Sequence, residues 1–65
     1  MNLQVNGEWR EVRAGDLAAA LAELGFADAV LATAVNGQFV PAPERGAAAL
    51  AEGDRLEILA PMQGG

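Results

Sequence analysis

The sequence predicts an α+β fold, a mixed sheet of four to five strands with one helix packed across one face and a flexible C-terminal tail. Three observations carry this expectation. Two Asn-Gly pairs, Asn6-Gly7 and Asn36-Gly37, sit between short runs containing apolar residues, the signal of tight two-residue hairpin turns. A single stretch, Leu17–Leu24, repeats its leucines at helical spacing, and it lies between the two hairpins. Pro61 follows the last alternating run and cannot donate a ladder hydrogen bond. The domain therefore spans residues 1–60, and residues 61–65 form an extended tail.

From the start of the chain, Leu3 and Val5 alternate with Asn2, Gln4 and Asn6, as in a half-buried strand. Glu8–Arg13 returns after the turn. Its parity is imperfect, since Trp9 and Val12 cannot share a face without a bulge; Trp9 is a rim residue, the mark of such a bulge, or a ligand-stacking group. Ala14-Gly15 breaks the strand, and Asp16 caps a helix over Leu17–Leu24 with its carboxylate near the positive helix end. Leu17, Leu21 and Leu24 fall at i, i+4 and i+7 while Glu23 looks outward, so one face alone is apolar and has to pack on a sheet. Gly25 takes the left-handed position after the helix.

Phe26-Ala27-Asp28 leads into a strand Ala29–Val35, with Leu31, Thr33 and Val35 on one face, and Gln38-Phe39-Val40 follows the second turn. Pro41, Pro43, Glu44, Arg45 and Gly46 spell a surface loop that blocks helix and sheet alike. A short extended piece, Ala47–Leu50, precedes the turn Glu52-Gly53-Asp54. The last strand, Arg55–Ala60, buries Leu56 and Ile58 and turns Arg55, Glu57 and Leu59 the other way. First and last strands are expected to pair in parallel at the sheet centre, because a helical crossover is what parallel pairing needs.

Composition narrows the function. Sixty-five residues make one small domain with no room for a deep active site. The chain has no Cys, His, Tyr or Lys. Losing Cys and His removes the usual metal ligands, and the four types together are most of the usual acids, bases and nucleophiles. An enzyme would need a solvent-reachable pair among Asp16, Asp28, Glu44 and Asp54, whose positions read as caps and turns; the chain is expected not to be an enzyme. A net charge of −5 argues against nucleic acid and anionic membranes and suits a basic protein partner. No apolar run approaches the length of a membrane span, the N-terminus does not read as a signal peptide, and the lack of Cys suits a cytoplasmic location.

The tail carries the chemistry. Five extended residues reach about 17 Å, enough to thread a narrow channel in another protein. Gly64 and Gly65 carry no Cβ, so a channel wall can approach the backbone and the terminal carbonyl is unhindered. An α-carboxyl with a pKa near 3.5 is ionised at neutral pH and must be activated before a nucleophile adds to it. Leu59 faces outward beside the tail, and with Met62 and Phe39 or Val40 it makes a candidate docking patch for whatever receives Gly65. A Gly-Gly end is by itself a weak signal, so the rest of the chain has to support it.

That support is a resemblance covering nearly the whole chain. The element order, the opening Val5-Asn6-Gly7-Glu8, the middle Ala34–Pro41, and the ending Glu52–Ile58 with Pro61-Met62-Gln63-Gly64-Gly65 resemble the ThiS family, ubiquitin-like β-grasp sulfur carriers of thiamin biosynthesis. The resemblance implies a reaction on Gly65. A ThiF-type adenylyltransferase would use Mg-ATP to make an acyl adenylate, a persulfide sulfur would displace AMP to leave a thiocarboxylate, and thiazole synthase would take the sulfur. Gly64, Gln63 and Met62 would thread the partner's active site, and the carrier itself would bind no cofactor and supply no catalytic group. The small subunit of molybdopterin synthase is a similar carrier that also ends in Gly-Gly, although Pro-Met-Gln before the glycines fits the thiamin carrier better. A ubiquitin-like binding module with an inert tail, or a modifier conjugated to protein lysines, would also be compatible with such a chain.

Overall fold

Each Asn-Gly pair folds its flanking runs into a hairpin. The φ angles are 51° and 86° at Asn6-Gly7 and 51° and 83° at Asn36-Gly37, the positive pair of a type I′ turn, whose twist matches that of the strands it joins. The first turn links β1 (Asn2–Val5) to β2 (Glu8–Glu11), and the second links β3 (Ala32–Val35) to β4 (Gln38–Val40). Helix α1 (Leu17–Glu23) connects the hairpins, and β5 (Arg55–Leu59) enters between them. The strand order is β2-β1-β5-β3-β4, with β5 parallel to β1 and antiparallel to β3. This computed structural model describes residues 1–27 and 30–60; Asp28, Ala29 and the tail Pro61–Gly65 lie outside the described residues.

The core forms where the apolar parity of the strands meets the helix. Leu3 and Val5 of β1, Leu56 and Ile58 of β5, and Leu17, Ala20 and Leu21 of α1 are buried together with Val12 and Leu50. Leu24 packs half-buried at the edge of this cluster. Asp16 accepts from Ala19 N at 2.8 Å. At the other end Phe26 N donates to Leu21 O and Gly25 N to Ala22 O, with Gly25 at φ 95°, the pairing that satisfies a helix's last carbonyls. Glu23 is exposed, as expected, but its carboxylate turns back to accept from Arg13 N and Ala14 N at 2.9–3.1 Å. It ties the loop before the helix to the helix's last turn.

The register of β1 and β2 is one to one, with Gln4 opposite Trp9 and Val5 opposite Glu8. No bulge interrupts it. Trp9 therefore faces away from the helix, 61% exposed, while Val12, beyond the strand end, turns into the core. Three expected strand limits shift. β2 ends at Glu11 rather than Arg13, β3 begins at Ala32 rather than Ala29, and β5 ends at Leu59, one residue before Ala60.

The stretch after β4 is where the expected loop gives way to a helix, which takes in Ala47 of the expected extended piece; Ala48 is extended and Ala49 forms an isolated bridge with Asp16. Ala42–Ala47 forms a 3-10 helix with Pro43 in its first turn, where a fixed φ and a missing N–H cost nothing. Arg45 anchors it to the body, its Nε donating to Thr33 Oγ1 at 3.0 Å and its Nη2 to Leu31 O at 2.6 Å. Residues 48–50 do not enter the sheet. They bridge the start of α1 instead, with Leu17 N donating to Ala48 O and Leu50 N to Gly15 O, both at 2.9 Å.

Both turn asparagines grip β5. Asn6 Nδ2 donates to Ile58 O at 3.1 Å while its Oδ1 accepts from Ile58 N at 2.8 Å, so the side-chain amide continues the β1–β5 ladder past the point where the backbone turns away. On the other flank Asn36 Oδ1 accepts from Arg55 N and its Nδ2 donates to Asp54 Oδ1, each at 3.0 Å. Asp54 also accepts from Ala51 N at 2.8 Å. The Asn36 amide, then the Ala51 N–H, hold the Asp54 carboxyl below the usual Asp range, against a smaller opposing effect of burial.

A depressed folded-state pKa contributes stability that is present above the ordinary Asp value near 3.9 and is lost as pH falls through the lower folded value. Wild type should therefore be more stable than Asp54→Asn at neutral pH, and the gap should close in the acid range below about pH 4. Urea midpoints of the two chains across that range test this. A gap that does not narrow with acidification would contradict the assignment.

Candidate functional site: the open sheet face at the root of the tail

The sheet has two unlike faces. One carries α1 and the core; the other is bare among the described residues. The pairings Ala32–Leu59, Ala34–Glu57 and Ala34–Phe39 place these five residues on the bare face. Leu59 is 70% exposed and Phe39 68%. Alanines 32 and 34 are too short to fill the space between the larger side chains, which leaves two shallow, mainly apolar hollows. Ala32, Ala34, Phe39, Glu57 and Leu59 line one, and Val30, Leu31, Ala32, Leu59 and Ala60 line the other. Leu59 is the ridge between them, and Ala60 lines the second.

Of the residues expected to form a docking patch, the structure brings Leu59 and Phe39 to one face and places Val40 on the other. Val40 is opposite Thr33, which is buried, and packs half-buried against the core. The patch therefore excludes Val40, because neighbours along a strand point to opposite faces. It includes Val30, Ala32, Ala34 and Glu57, which the sequence alone did not single out; the outward alternation of small residues at 32 and 34 was the signal available. Met62, Gln63, Gly64 and Gly65 lie outside the described residues. Trp9 shares the bare face but sits on the far edge strand, in the row Trp9–Gln4–Arg55.

The carboxylates weighed as a catalytic pair have structural work or stand apart. Asp16 caps α1, Asp54 binds Asn36 and Ala51, and Glu44 is exposed in the 3-10 helix. Asp28 lies outside the described residues. The described part of the site is thus an exposed, mainly apolar surface that extends to Ala60.

A helix held across a five-stranded mixed sheet, with the last strand central and running parallel to the first, defines the ubiquitin-like β-grasp class. A model of the ThiS family matches residues 3–65, and the chain belongs to that family. Over 100% of both chains it is similar to the crystal structure of the thiamine biosynthesis protein ThiS from Geobacter metallireducens, with 30% identity and a TM-score of 0.83. No curated protein matches the chain. No described helix is long and apolar enough to cross a membrane.

Proposed function

We propose that this chain is a sulfur carrier of thiamin biosynthesis and that Gly65 is the carrying residue. The observation that supports this most is the reach of the family match through the final glycine. A ThiF-type adenylyltransferase with Mg-ATP joins the Gly65 carboxylate to AMP and releases pyrophosphate. A persulfide sulfur then attacks the acyl carbon and AMP leaves; thiol cleavage of the resulting S–S bond gives the thiocarboxylate, which thiazole synthase consumes. Gly64, Gln63 and Met62 thread the partner's active site. This chain contributes no acid or base to these steps. It presents the tail, and its lack of Lys and Cys leaves no amine or thiol side chain of its own to capture the acyl adenylate.

Intact mass tests the reading. The full chain, incubated with ATP, magnesium, a ThiF-type enzyme and a persulfide source, should gain the difference between sulfur and oxygen once. A chain lacking Gly65 should not. No gain, with the enzyme active on another carrier, would make the domain a ubiquitin-like binding module instead.

Landing on the bare face makes a second expectation. Leu59→Glu should raise the carrier concentration needed for half-maximal adenylation by about tenfold or more, since it places an unpaired charge in a contact that would otherwise be apolar. The fold should survive, because Leu59 is 70% exposed. An unchanged half-saturation point would remove the patch from the reaction.

A further inference from the structure

Asn-Gly is a chemically reactive pair as well as a turn former. With no side chain on the glycine, its backbone nitrogen can reach the asparagine Cγ more readily than at any other residue pair. This chain has two such pairs, in turns of nearly identical backbone shape, and the structure holds their amides differently. Asn6 is tied at both ends of its amide to the main chain of Ile58, in part-buried bonds inside the sheet. Asn36 is tied to Arg55 N and to the Asp54 carboxylate, and both bonds are exposed to water.

We infer that Asn36-Gly37 is a site of spontaneous deamidation and that the fold protects Asn6-Gly7 from the same reaction. In the step, Gly37 N attacks Cγ of Asn36, the C–N bond of the side-chain amide breaks, and the amide leaves as ammonia with the displaced proton. Water then opens the five-membered imide at either carbonyl, giving an aspartyl or isoaspartyl residue at position 36. The native grip gates this, because the amide has to leave its partners before Cγ can turn to the following nitrogen. At position 36 water replaces both partners as they part. At position 6 the release leaves part-buried main-chain groups of the central strand unpaired, which is the costlier opening.

The product has a consequence built into the site. A new carboxylate at position 36 faces Asp54, whose oxygen lies 3.0 Å from the amide nitrogen in the parent chain. Two like charges replace a donor and an acceptor, and neither can ionise freely beside the other. The turn then loses its link to Asp54, just before β5, while the β3–β5 ladder and the Asn36 N to Arg55 O bond remain.

Ageing the full chain at mildly alkaline pH, with and without urea, tests this. Trypsin separates the two sites, since Asn6 lies in peptide 1–10 and Asn36 in peptide 14–45, and fragment masses place each conversion. In the native chain position 36 should convert several-fold to about tenfold faster than position 6, the range spanned by one net hydrogen bond's worth of opening. In urea the two rates should come together. Equal native rates, or faster conversion at position 6, would overturn the inference. The variant Asn36→Asp should unfold at lower urea than wild type at neutral pH and recover part of the loss on mild acidification; a midpoint equal to wild type would overturn the proposed effect on the hairpin.

Discussion

Deleting Gly65, or replacing it by alanine, is expected to cut partner-catalysed adenylation by at least about 100-fold, the loss that follows when reacting atoms are displaced by about an ångström. Deletion moves the carboxylate one residue short of the position that a threaded tail presents. Alanine adds a Cβ where the proposed channel has to close on bare backbone. Neither change should touch the domain: the core strand β5 ends at Leu59, and its last buried side chain is Ile58. ATP–pyrophosphate exchange measures the first claim and a thermal melt the second. Exchange that persists in the truncated chain would place the reaction elsewhere, whereas a lowered melting temperature would mean that the tail is part of the fold.

Much of this architecture was legible because the determining signals are local. Asn-Gly at 6–7 and 36–37 fixes two turns by backbone sterics, Gly25 ends the helix for the same reason, and Asp16 starts it through a local side-chain bond to Ala19 N. Strand parity holds more than the expected patch drew from it. Once Asn36-Gly37 is a two-residue turn, Val35 faces Gln38, Ala34 faces Phe39 and Thr33 faces Val40. Val40 must then share the face of Thr33, which is buried, and cannot join Phe39 and Leu59 outside. The same logic places Trp9 beside Gln4 without a bulge.

What could not be read locally is the 3-10 helix at Ala42–Ala47. Two prolines and a glycine argue for a loop, and the arginine that anchors the segment does so through Leu31 O and Thr33 Oγ1, twelve and more residues away. The fold of residues 48–50 is likewise decided by a partner distant in sequence, the start of α1. The open face was visible only in part, because its hollows are made by alanines whose importance lies in the size of their neighbours across the sheet.

The central strand offers the sharpest test of how the core is built. Leu56 is fully buried and lies between Val5 of β1 and Val35 of β3. Replacing it by alanine should cost about 2–5 kcal/mol, the sum of lost transfer energy and the cavity left behind. A chain of this length is expected to have a total stability of only about 3–10 kcal/mol, so the change should remove a large share of it and lower the melting temperature by about 10 °C or more. Leu59, three residues along the same strand, supplies the control. It faces the bare side, and Leu59→Ala should stay within about 0.5 kcal/mol of wild type. Urea midpoints decide between two pictures: if both leucines shift them equally, the faces of β5 are not divided into core and open surface. A large shift at Leu56 with none at Leu59 separates the side chains that hold the domain together from those free to meet a partner.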